Sequence, residues 1–98
     1  MTPQKDLMSD YFNLVESAYN DNANHFKIDQ VTSAQRDQIL ISARSILMIR
    51  DGVLNSTPGS FADRFVNGNL FGVLDVADAV TLKSLTFFAY CYKQKYLD

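Results

Sequence analysis

The sequence predicts one small all-α domain, on three observations. Apolar residues recur at three- and four-residue spacing in successive segments. Each segment is bounded by residues that start or stop helices, among them Thr32, Ser60, Gly68 and Asn69. The 98 residues, read as one unit from 1 to 98, hold no internal repeat, low-complexity stretch or Gly/Ser linker.

The first helix is expected from about Gln4 to Tyr19, with two adjacent apolar stripes, Leu7/Tyr11/Leu14/Ala18 and Met8/Phe12/Val15/Tyr19. Asn20-Asp21-Asn22-Ala23-Asn24 should end it, because short polar side chains bond locally and favour turns. A long second helix follows. Thr32 and Gln35 have the spacing of a capping box, and Ile39, Leu40, Ala43, Ile46, Leu47, Val53 and Leu54 make its broad apolar face. Ile41 and Met48 fall on roughly the opposite face, where a lone domain would expose them.

Beyond the Asn55–Gly59 loop two short helices are expected. Ser60 caps the first, Asp63 complements its dipole, Gly68 closes it in a left-handed conformation, and Asn69 caps the second through Leu70, Val73, Leu74 and Ala77. The last helix should run from Asp78 or Thr81 to Tyr96, with Leu82, Leu85, Ala89, Tyr92 and Tyr96 as its main face. Phe87, Phe88, Tyr90 and Cys91 point elsewhere, so its middle is apolar nearly all round. The helices therefore carry more apolar surface than one small core buries, which points to contacts between chains.

Composition narrows the function classes. The net charge is −2, and the nine basic side chains are scattered from Lys5 to Lys95, unlike the basic stripe of a duplex nucleic-acid binder. The only cysteine is Cys91, so no intrachain disulfide forms and a reducing compartment is implied. Residues 1–6 do not read as a secretory signal. Ser42, Arg44 and Ser45 interrupt the richest apolar run, Ile39–Ile49, so no membrane span is expected and the expected location is the cytoplasm.

Catalytic and metal chemistry find few residues to work with. His25 is the sole histidine, Glu16 the sole glutamate, and Cys91 lies within an aromatic run. Neither a metal-ligand spacing nor a phosphate-cradling glycine motif is present, so a non-enzymatic protein without cofactor or metal is expected.

Binding features are better. Tyr11 and Phe12 are adjacent on the first helix, and His25-Phe26-Lys27 follows it. An aromatic face beside a cation suits a nucleobase carrying a phosphate. The same residues also read as core aromatics beside a solvated lysine, and spacing alone favours that reading. Arg64, near a helix start, either assists a phosphate or bridges to Asp63 or Asp78. Arg36, Arg44 and Arg50 are expected to pair with Asp37 and Asp51 on the wet side of the long helix.

Pro58-Gly59-Ser60-Phe61, then Asn67-Gly68-Asn69-Leu70 and Val76-Ala77-Asp78, form a pattern familiar from small bacteriophage proteins. With Tyr11 on the first helix, Lys27 after it and a long central helix, the chain resembles the phage anti-CBASS sponges. That resemblance implies compact homo-hexamers that sequester cyclic oligonucleotide messengers without cleaving them. It implies that Tyr11 stacks on a base, Lys27 contacts a phosphate and Phe26 serves as a second wall, with Phe12 beside them. It also implies a cyclic trinucleotide site near a three-fold axis, for which Arg64 is the candidate. Two other readings use the same apolar surface: an inhibitor or adaptor acting on a host enzyme, and a structural homo-oligomer.

Overall fold

The computed structural model describes the backbone of residues 3–94 and the side chains of residues 9–94. The described residues form six α-helices and no strand: α1 (Pro3–Asn22), α2 (Ser33–Arg50), α3 (Phe61–Val66), α4 (Leu70–Val76), α5 (Ala79–Lys83) and α6 (Leu85–Lys93). None of these helices is long and apolar enough to cross a membrane. α2 is the hub, packing against α1, α3, α5 and α6, whereas α4 packs chiefly against α3.

The core follows helical spacing along α2. Ile39, Leu40, Ala43, Ile46 and Leu47 are all buried, and they meet Val15 and Tyr19 of α1, Ile28, and Phe87, Phe88 and Cys91 of α6. Truncating one of these large side chains to alanine removes about 2–5 kcal/mol. Edge-to-face contacts tie the layers together: Tyr19 and Phe26 each meet Phe87 at 5.9 Å, and Phe65 meets Phe88 at 6.3 Å.

The capping signals form as the sequence reads. Thr32 Oγ1 accepts from the Gln35 amide at 3.1 Å, while Gln35 Oε1 accepts from the Thr32 amide at 3.0 Å. Ser60 and Asn69 cap α3 and α4, and Gly68 takes φ +74° between them. Several boundaries and faces differ from expectation, each for a local reason.

α1 runs on to Asn22 because the Asn22 amide side chain donates to Ala18 O at 2.9 Å, satisfying one of the end carbonyls that a turn would have freed. α2 stops at Arg50, since Gly52 adopts φ +76° and the Val53 amide folds back onto Met48 O at 2.9 Å. Val53 and Leu54 therefore leave the helix face and stand exposed in the following loop. Ile41 is 50% exposed as expected, but Met48 is only 4% exposed. The two share a helix face that is covered at its C-terminal end alone, where Met48 joins the core.

The last helix is two helices. Ser84, fully buried, turns its hydroxyl onto Val80 O at 2.7 Å and its amide onto Val80 O and Thr81 O, and α5 ends and α6 begins at this residue. Across that break Phe87, Phe88 and Cys91 enter the core and Leu82 is left exposed, while Leu85 and Tyr92 of the expected face are half-buried against the core. The second stripe of α1 is likewise inside, through Val15 and Tyr19. The side chains of Leu7 and Met8, and Tyr96 altogether, lie outside the described residues.

Candidate functional site

The α1–α2 turn is built around a strained residue. Lys27 has φ +60°, a conformation rare for a side chain with a Cβ, and it is held between two backbone bonds. The Lys27 amide donates to Asn24 O at 3.1 Å, and the next amide, of Ile28, donates to Ala23 O at 2.9 Å. Buried Tyr19 clamps the far side, its hydroxyl donating to Ile28 O at 2.6 Å. The outcome is a rigid turn that presents Lys27 and His25 to solvent. Between them Phe26 is half-buried, 5.5 Å from the Tyr90 ring and edge-on to His25 at 4.9 Å. An aromatic wall with an exposed ammonium beside it is a surface on which a base can lie and a phosphate can be neutralised.

Tyr11 belongs elsewhere. Its ring is 2% exposed and its hydroxyl donates to Asp51 Oδ2 at 2.7 Å, beyond the C-terminal end of α2. Glu16 and Tyr19, further along α1, lie against Arg36 near the start of α2. The two helices are thus antiparallel, and Tyr11 and Lys27 sit at opposite ends of the pair. The eleven helical steps from Tyr11 to Asn22 alone advance about 16.5 Å. The structure does not bring Tyr11 and Lys27 together within one chain. Phe12, half-buried, packs at the margin of the core.

Around Tyr11 lies a polar knot. Arg50 holds Asp51 through Nε at 2.7 Å and Nη2 at 3.1 Å, and also donates to Tyr92 O at 2.5 Å and Gln94 O at 2.6 Å. One guanidinium thereby closes the end of α6 and fixes the carboxylate that Tyr11 bonds. Arg50 holds Asp51 below the usual carboxylate range, helped by the Tyr11 hydroxyl, while burial and then Asp51 push the Tyr11 phenol up to about 12. The Arg50–Asp51 pair is as expected, whereas Arg36 reaches Glu16 at 3.4 Å and lies over Tyr19.

The α3–α4 corner holds Arg64. Its Nη1 donates to Gly72 O at 2.8 Å, so the side chain braces α4 against α3. The start of α3 is satisfied from within: Ser60 Oγ accepts from the Asp63 amide, and the Asp63 carboxylate accepts from the Gly59 amide and the Ser56 hydroxyl. These contacts, the Gly59 amide foremost, lower the Asp63 pKa. The anion at this helix start is its own aspartate, and Arg64 faces an adjoining cavity instead. That cavity, about 120 Å³, is lined by Phe65, Leu70, Val73 and Leu85, with Arg64 and Asn69 beside them.

Next to the cavity stand the most exposed large apolar side chains among the described residues. Phe71 is 80% exposed and Leu70 61%, with Leu74 also exposed. The three fall within an arc of about 100° on α4, while Gly72 and Val73 on the other side are buried. Phe71 escapes a sequence reading that follows Leu70, Val73, Leu74 and Ala77. The usable signal is that a seven-residue helix cannot bury Leu70, Phe71, Val73 and Leu74 on one neighbour.

Among the described residues no group of three or more His, Cys, Asp or Glu side chains is gathered where a metal ion could be held. Cys91 is buried within α6, whereas His25 is exposed on the α1–α2 turn. Comparison with known protein families, curated proteins and solved structures finds no match for this chain.

Proposed function

We propose that this chain is a phage-type immune-evasion protein that captures cyclic di- or trinucleotide messengers without cleaving them. It would work in the bacterial cytoplasm as a homo-oligomer, a hexamer by the resemblance to anti-CBASS sponges. The observation that carries the reading is the α1–α2 turn, where half-buried Phe26 is flanked by exposed His25 and Lys27. A base stacks on the aromatic surface, Lys27 neutralises a phosphate, and a neighbouring subunit completes the pocket. Tyr11, buried at the other end of the helix pair, takes no part in this site, and Arg64, with four guanidinium donors left beyond its bond to Gly72, remains the candidate for the trinucleotide. Capture lowers free messenger, and occupancy of the host effector falls by mass action.

Calorimetry with a panel of cyclic di- and trinucleotides tests this reading. Binding should vanish in Lys27→Gly, which removes the cation without straining the turn, and messenger should be recovered intact after the protein is denatured. Absence of heat from every cyclic nucleotide, or recovery of cleaved product, defeats the proposal. A second reading, an inhibitor or adaptor of a host enzyme, is favoured by the exposure of Phe71. Under it a purified target would be bound by the wild-type chain and lost on Phe71→Asp, with Lys27→Gly unaffected.

A further inference from the structure

We infer that Tyr90 of α6 is a ligand contact of the α1–α2 turn site, where it faces the edge of a base lying on Phe26 and favours purines. The inference deepens the proposed capture of cyclic nucleotides and rests on that reading. Its basis is that the turn does not make its aromatic surface alone. Phe26 stands 4.9 Å from the ring of His25, its chain neighbour, and 5.5 Å from that of Tyr90, which arrives from α6. Phe87, fully buried, meets Phe26 edge-on at 5.9 Å and seats that ring on the core. Phe26 and Tyr90 are both half-buried, so each keeps part of its surface in solvent. Their ring planes meet at 54°, which makes them the sides of an angle and not one flat platform. A base lying on one of the two rings therefore turns its edge towards the other.

The phenol gives this wall its chemistry. Tyr11 and Tyr19 are buried, and their hydroxyls donate to Asp51 Oδ2 and Ile28 O. The Tyr90 hydroxyl makes no hydrogen bond among the described residues, so its donor and its acceptor capacity are both open to a ligand. Adenine and guanine each carry the N7 acceptor on the edge where a pyrimidine has only C5 with its hydrogen or methyl group. A hydroxyl that donates there holds a purine and gains nothing from a pyrimidine. Lys27, next to Phe26 in the chain, supplies the cation for the phosphate joined to that nucleoside. Tyr92 shows the contrast: its ring meets Phe65 and the Arg50 guanidinium, so of these two tyrosines of α6 only Tyr90 reaches the turn.

Calorimetry of the full chain with cyclic diguanylate, cyclic diadenylate and cyclic diuridylate tests the assignment. The wild type should bind the two purine ligands more tightly than the uridine ligand. Tyr90→Ala should weaken purine binding ~10-fold or more, the scale of a lost base–aromatic contact. Tyr90→Phe keeps the ring and deletes a hydroxyl that bonds nothing among the described residues, so the fold is retained. It should weaken purine binding ~5-fold, the scale of one hydrogen bond, and leave the uridine ligand unaffected. Tyr92→Phe, the same change on the neighbouring tyrosine, should alter neither. Binding that is lost in Lys27→Gly but unaltered in both Tyr90 variants overturns the inference and leaves the capture reading standing. Equal wild-type affinity for purine and uridine ligands, or an equal loss in Tyr92→Phe, overturns it as well. No binding of any of the three by the wild type removes the capture reading and this inference together.

Discussion

The Tyr11 hydroxyl donates to Asp51 Oδ2 at 2.7 Å across the α1–α2 interface, and Arg50 grips the same carboxylate from the other side. One aspartate therefore links α1, the end of α2 and, through Arg50, the carbonyls that finish α6. Because the Tyr11 ring is enclosed, its two halves can be tested apart. Tyr11→Phe keeps the ring and deletes a bond to a charged acceptor, with an expected loss of about 1–2 kcal/mol by urea denaturation. Tyr11→Ala also empties ring volume and should cost about 3–5 kcal/mol. Equal losses would mean that the hydroxyl, and not the ring, carries the contact.

The same contacts set the pH limits of stability. Asp51 has its folded pKa depressed by Arg50 and Tyr11, so its contribution is present above the unfolded value near 4 and is lost as pH falls through the lower folded value. Tyr11 is the opposite case. Its folded pKa of about 12 exceeds the unfolded 10, so its contribution is complete below pH 10 and is lost as pH rises towards 12. Two units correspond to about 2–3 kcal/mol. Denaturation followed across pH should therefore show an alkaline fall between pH 10 and 12 that is smaller in Tyr11→Phe, and an acid fall below pH 4 that is smaller in Asp51→Asn. An unchanged alkaline limb in Tyr11→Phe would assign that titration to another group.

What the sequence made legible was whatever depends on near neighbours. The Thr32/Gln35 capping box, the Ser60 and Asn69 caps and the left-handed Gly68 each involve groups within four residues, and each forms. Faces that depend on distant packing were less legible. Leu82 and Phe87/Phe88 exchanged sides because a buried Ser84 breaks the helix, and a serine in an apolar run gives little local sign of that. The apolar surplus was legible as an amount, and at Ile41 as a place. Its main location moved to α4, since coverage is decided by which elements happen to lie alongside. Of the candidate site residues, Phe26 and Lys27 share one turn, whereas Tyr11 needed the partner Asp51, forty residues away, to be known before its burial could be seen.

Gly72 should be the most sensitive glycine of the α3–α4 corner. A Cβ there would stand 2.7 Å from Asn69 Cγ and 3.0 Å from Arg64 Cδ. Asn69 Oδ1 accepts the Gly72 amide at 3.0 Å, so the cap must swing away to admit a methyl group. Gly72→Ala should lower stability by about 1–2 kcal/mol, the scale of a lost cap, despite alanine's better helix propensity. It should also misplace Leu70 and Phe71. Urea denaturation should show the loss of stability, and an unchanged midpoint would mean that the Asn69 cap admits the methyl group without moving.

Lys27 offers a prediction in the other direction. A left-handed backbone costs a side-chain-bearing residue about 1–2 kcal/mol, whereas glycine adopts it freely at the expense of about 0.5–1 kcal/mol of chain entropy. Lys27→Gly should thus be neutral or stabilising by up to about 1 kcal/mol, while Lys27→Val, branched at Cβ, should destabilise by about 1–2 kcal/mol. The order Gly, Lys, Val in thermal midpoint would mark the strain as real, and a glycine variant less stable than the lysine would show that the ammonium holds the turn. In the first case, loss of cyclic-nucleotide binding in Lys27→Gly reports on the cation alone, because the turn that carries it is then at least as well formed as before.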